Sequence, residues 1–179
     1  MAPKGLQEGR TQFEGMVVPT KGGFMVFGVV IEDDALPKAL DAVRPQNVQR
    51  DDWFLGAVVQ IDADLQKISN NSPREDGVVE QTRSGTWFQV RQLYTATIVK
   101  PAEVIEGELH RSKGFFALQS HLIDRHDLDW ALGSGAGEYE GQRVRLYGQP
   151  RTVHCEPNAQ CLIQGSLPMF DVGRAEKLP

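Results

Sequence analysis

The chain is 179 residues long, 40% hydrophobic, 24% charged and 8% aromatic. That ordinary globular composition excludes the low-hydropathy, high-charge regime of disordered chains. Its 19 basic and 24 acidic residues give a net charge of −5, with 10 basic and 13 acidic in residues 1–93 and 9 and 11 in residues 94–179. Neither half is a polycation, which weighs against tight binding to a phosphate backbone.

In chain order, residues 1–12 lack periodicity and read as a flexible N-terminal arm. They also lack the apolar run of a signal peptide, and no stretch of the chain approaches the roughly 18 apolar residues of a membrane span. The chain therefore reads as soluble and cytoplasmic, with no membrane contact, or as exported if a signal has been removed. A strand is expected over Phe13–Pro19, and Thr20-Lys21-Gly22-Gly23 turns it into a second over Phe24–Ile31. Glycine accepts the positive φ that such turns demand. Alternation places Met25, Phe27, Val29 and Ile31 on one face and Phe24, Val26, Gly28 and Val30 on the other. Both faces are apolar, so the strand is expected to be covered on both sides, and Met25, Phe27, Val29 and Ile31 become candidate protein-interface residues.

A short helix follows, capped by Asp33 or Asp34 and ended by Arg44-Pro45, since the residue before proline avoids the helical region. Residues 55–65 alternate as a strand and 69–77 form a polar loop. The segment from Thr86 to Val99 alternates again, with Phe88, Val90, Ala96 and Ile98 inward. Lys100-Pro101 marks the domain boundary, giving a first unit over 13–100 and a second over 101–179.

The second unit replays the first. Residues 14–33 and 106–125 align without a gap, with Glu14/Glu106, Gly15/Gly107, Lys21/Lys113, Gly22/Gly114, Phe24/Phe116 and Ile31/Ile123 identical. Strands are expected at 105–111 and 115–123, then a helix capped by Asp127 and closed by Gly133, a strand over 139–148 and a last one near 162–172. Residues 139–148 align with 54–63, matching Gly56/Gly141, Val59/Val144 and Ile61/Leu146. The offset falls from 92 to 85 because the connection is shorter in the second copy, as two copies of one fold permit. An all-β architecture with short helices follows.

The residues carrying this pattern are Glu106-Gly107, Lys113-Gly114-Phe115-Phe116 and Gly141 to Gly148, with their first-half counterparts. The pattern resembles the OB-fold, a five-stranded barrel that often binds oligonucleotides or oligosaccharides. The resemblance implies two tandem OB-like barrels related by the internal repeat. A third strand before the helix is not evident in either half, and a split second strand would supply it.

Cys155 and Cys161 flank a Pro-Asn turn. A local disulfide implying an oxidising compartment, two free thiols, and a metal site with His154 all fit the spacing. His110, His121 and His126 read as ordinary strand or surface histidines. Arg143, Arg145 and Tyr147 alternate along one strand, as do Trp87, Gln89 and Arg91. Arginine interleaved with aromatics is how sequence-tolerant binders hold single strands, so Trp87, Arg91, Arg143, Arg145 and Tyr147 are candidate nucleic-acid contacts. The alternative for the same residues is a solvated face or a domain contact.

Gly133 to Gly137 follows a helix instead of opening one, so it reads as a connector and not a phosphate loop. Nothing assembles a nucleophile, a base and an orienting group, and no cofactor or metal is expected. The sequence thus points to a non-enzymatic binding or scaffold protein that contacts another protein or its own copy. Its alternatives are a single-stranded nucleic-acid binder and, more remotely, an exported small-ligand or metal carrier.

Overall fold

Alternating apolar residues build the first sheet of this computed structural model, which describes residues 5–70, 85–133, 135–157 and 165–179. Its elements are β1 (Gly9–Thr20), β2 (Gly23–Val26), β3 (Val29–Glu32), α1 (Ala35–Leu40), β4 (Val58–Asn70) and β5 (Gly85–Lys100). The strands pair in a ring, β1-β2-β3-β5-β4 and back to β1. All pairs are antiparallel except β3 with β5. Phe13 and Val17 of β1 and Val59, Ile61, Ala63 and Leu65 of β4 point inward at period two, as a half-covered strand requires. Leu36 and Leu40 of α1 and Phe54 are fully buried with them.

Two expectations for this half change and one holds. The N-terminal arm is shorter, because β1 already pairs at Gly9 with Leu65. The predicted strand over 24–31 is two strands. Phe27 (φ 50°) and Gly28 (φ 71°) turn the chain between β2 and β3, and Val26 then pairs with Val29. The split supplies the third strand and ends the assumed two-faced alternation. The inward set on β5, Phe88, Val90, Ala96 and Ile98, keeps its phase because the register shifts twice, at Asp62/Ala63 and Asp64/Leu65. Those shifts skip Tyr94 and Arg91 in the ladder with β4 and bring Leu93 inward as well.

The second sheet contains β6 (Glu103–Glu108), β7 (His110–Ser112), β8 (Phe115–Leu118), β9 (His121–Ile123), β10 (Arg143–Cys155) and β11 (Gly165–Lys177), with α2 (Arg125–Leu132) after β9. Its order is β6-β10-β11-β9-β8-β7. Six strands replace the expected five because the first breaks at Leu109, which is fully buried. The Leu109 N–H donates to Gln142 O at 3.0 Å, and Leu109 O accepts from Gly141 N–H at 2.8 Å. In the first half, Val17 N–H donates to Ala57 O and Val17 O accepts from Gly56 N–H, both at 2.9 Å. These are positions paired by the sequence alignment. The second core gathers Leu109, Phe116, Leu118, Ile123, Leu128, Val144, Leu146, Phe170 and Val172.

Helix α2 is capped by Asp124, whose side chain accepts the His126 N–H at 2.8 Å, and not by Asp127 as the sequence suggested. Gly133 closes it in the left-handed conformation, φ 70°. The last strand extends to Lys177, beyond the predicted end at 172.

The two units meet where backbones approach closely. Gly173 is the bulge residue of β11, skipped between the pairs Tyr147/Arg174 and Gly148/Val172. A Cβ there would stand 2.5 Å from Gly56 Cα and 2.9 Å from Val17 O. A Cβ on Gly56 would stand 2.7 Å from Tyr147 O. Beside this contact the buried Gln149 side chain donates from Nε2 to Gly56 O and to Pro101 O, each at 2.9 Å.

Candidate functional site

Next to the glycine contact the units leave a groove of about 370 Å³. Unit one contributes Val18, Pro19, Thr20 and Met25; unit two contributes His126, Asp127, Trp130 and Val172. β1 and β2 place the first set because their pairing sets Val18 opposite Met25. Helix α2 places the second: Asp127 and Trp130 are three residues apart and so lie on one helical face. The Trp130 indole N–H donates to Pro19 O at 2.9 Å, fixing the ring across the junction. The ring is nevertheless 58% exposed. An oriented, exposed tryptophan beside apolar neighbours is the kind of anchor on which interfaces concentrate their energy.

The electrostatics of the groove are one-sided. Asp127 is partly buried, and burial raises its carboxyl above the ordinary value. Asp124 and Asp171 add to the rise, while Arg151 and His126 oppose it. Arg151 is already committed, holding both Asp171 oxygens at 2.9–3.2 Å. Among the described residues no ion pair reaches Asp127.

No match was found with known protein families, curated proteins or solved structures.

The candidate interface residues part company in the structure. Val29 and Ile31 are buried in the first core, at 0% and 1% exposure, and Met25 lines the groove. Phe27 is exposed at the β2–β3 turn. Only Met25 of the four belongs to the groove. Alternation missed the turn at Phe27-Gly28 because an apolar run of eight residues carries no polar mark where it bends. Trp130 and Asp127 were readable only as helix residues; that they face unit one depends on how the units dock.

The arginine–aromatic residues are held by the protein's own carboxylates. Arg145 Nε donates to Glu106 Oε1 at 2.5 Å, and its Nη1 lies 3.5 Å from Glu176 Oε2. The bond to Glu106 raises the guanidinium above its ordinary value, with a smaller contribution from Tyr147. The Tyr147 hydroxyl donates to Glu176 at 3.3 Å, and Arg174 stacks 3.7 Å above its ring. Arg91 pairs with Asp64 at 3.0 Å. Trp87 donates to Gln89 at 3.4 Å on β5, and Arg143 is exposed at the start of β10. Trp87 and Arg91 lie on the first sheet and Arg143, Arg145 and Tyr147 on the second.

Cys155 ends β10 and is disulfide-bonded; Cys161 lies outside the described residues. His154 Nδ1 lies 2.7 Å from Ser166 Oγ. His110 and His121 sit on β7 and β9 with β8 between them. Among the described residues no group of three His, Cys, Asp or Glu side chains is arranged to hold a metal ion, and no helix is long and apolar enough to cross a membrane.

Proposed function

We propose that the chain is a non-enzymatic interaction module made of two OB-like barrels, acting through protein contacts at the groove between them. The barrel reading is supported by the cyclic strand order of the first sheet, by its parallel β3–β5 pair, and by the same order in the second sheet once β6 and β7 are taken as one broken strand. The matching ties at Val17 and Leu109 support a duplicated unit.

The observation that carries the functional reading is Trp130: oriented by Pro19 of the other unit, yet more than half exposed, over a floor of Val18, Met25 and Val172. A solvated surface has no need to fix an indole in this way. In a capture experiment from source-cell extract, a partner retained by the wild-type chain is expected to be lost with Trp130→Ala and with Met25→Ser, and kept with Arg143→Ala. Equal retention by all four chains contradicts the groove as the contact face.

A single-stranded nucleic acid is the weaker reading, because Arg91, Arg145 and Tyr147 are engaged by Asp64, Glu106 and Glu176. Carboxylates at those positions repel phosphate and cancel the counterion release that drives such binding. Fluorescence anisotropy with labelled oligonucleotides at low salt is expected to show no saturable binding. The disulfide at Cys155 favours the exported reading of the compartment. Masses measured with and without reductant and a thiol label check it: label taken up without reductant would contradict it.

A further inference from the structure

Resting on that groove reading, we infer that the groove receives a lysine or arginine side chain from an extended segment of a partner protein. The aliphatic stem lies on Val18, Met25 and Val172, and the charged head sits between the Trp130 ring and the Asp127 carboxylate. The argument is one of charge and shape together. Long basic side chains bury their stems on apolar surface while keeping the head polar. An indole face attracts such a head through its quadrupole, most strongly when water is partly excluded. Asp127 lies on the same helical face as Trp130, and the cation that most opposes its raised carboxyl, Arg151, is spent on Asp171. With Asp124 beside it, the groove carries surplus negative charge that a bound cation neutralises.

The source is a protein segment, not a free amine. At about 370 Å³ the groove is at the small end of ligand sites, which run roughly 300–1,000 Å³. Its main aromatic wall is more than half open to solvent. A lone small cation would stay largely hydrated there, whereas residues flanking a basic side chain add contacts along Pro19 and Thr20. The same negative surplus repels a phosphate backbone.

The test uses the full chain and two capped peptides, acetyl-valyl-lysyl-valine amide and its norleucine analogue, which lacks only the charged head. Binding is read from ¹H–¹⁵N spectra, with the Trp130 indole signal identified by its loss in Trp130→Phe. The lysyl peptide is expected to shift the Trp130 indole and Asp127 amide signals saturably, and to bind about tenfold more tightly than the norleucyl peptide. Asp127→Asn is expected to remove most of that difference while leaving the spectrum otherwise that of the folded chain. Equal binding of the two peptides, or a difference unchanged by Asp127→Asn, overturns the basic side chain but leaves the groove as the contact face. Shifts from neither peptide overturn the inference. If the partner captured from extract is also kept by Trp130→Ala, the groove reading falls with it.

Discussion

Asp127 bears an electrostatic cost that its neighbours do not relieve. Its carboxyl is raised by burial first, and then by Asp124 and Asp171, against the weaker opposition of Arg151 and His126. The folded chain therefore binds more protons than the unfolded one between the ordinary carboxylate value and the raised one. Stability falls as pH rises through that window, and the loss is complete above it. Asp127→Asn removes the cost, so its melting temperature is expected to exceed that of the wild type at neutral pH. The gap should close as pH drops below the ordinary carboxylate range; an equal melting temperature at neutral pH would show that the carboxylate is not strained. Gln149 acts in the opposite sense. Its amide satisfies the carbonyls of Gly56 and Pro101 at the unit junction, and Gln149→Leu leaves both without that donor. A loss of about 1–3 kcal/mol is expected in urea unfolding. None of this was legible in the sequence, where Gln149 falls just past the strand expected over 139–148 and Asp127 reads as the helix cap.

At the scale of elements, the turn holding Gly56 and the turn holding Gly141 make the same tie, to Val17 and Leu109 respectively. Both glycines have positive φ, 86° and 78°. Gly141→Ala meets open space apart from Glu108 Oε1 at 4.0 Å, so backbone strain alone predicts a loss of about 1–2 kcal/mol. Gly56→Ala adds a collision with Tyr147 O, and its loss in urea unfolding is expected to be clearly the larger. Equal losses would show that the unit junction does not rest on Gly56. The sequence found these glycines and the inward set Phe88, Val90, Ala96 and Ile98, because hydrophobic alternation and positive-φ turns are local properties. It missed the hairpin at Phe27-Gly28 and the break at Leu109. One lies inside an unbroken apolar run, and the other is satisfied by hydrogen bonds to a loop more than thirty residues away. The bulges also separate the two sheets: the residue skipped opposite Asp62/Ala63 is Tyr94, under Arg10 at 4.2 Å, and the one skipped opposite Tyr147/Gly148 is Gly173. Only the one without a side chain lets the other unit in.

At the scale of the whole molecule, two separate cores are joined through Gly173, Gln149 and the bond from Trp130 to Pro19. The groove exists because of that joint, which is why reading each half alone directed attention to strand faces and not to the seam. Gly173→Ala forces a Cβ into the Gly56–Val17 tie and is expected to cost about 2 kcal/mol or more. In urea it should convert one cooperative transition into two, one for each core; a single transition with an unchanged midpoint would mean that the joint is not this tight. The most direct test of the groove as contact face is a hydrogen-exchange footprint of the full chain bound to a partner captured from extract. Protection concentrated in residues 17–20, 25–26 and 126–132 is the predicted result. Protection confined to β10 and β6, around Arg143, Arg145 and Tyr147, would contradict it.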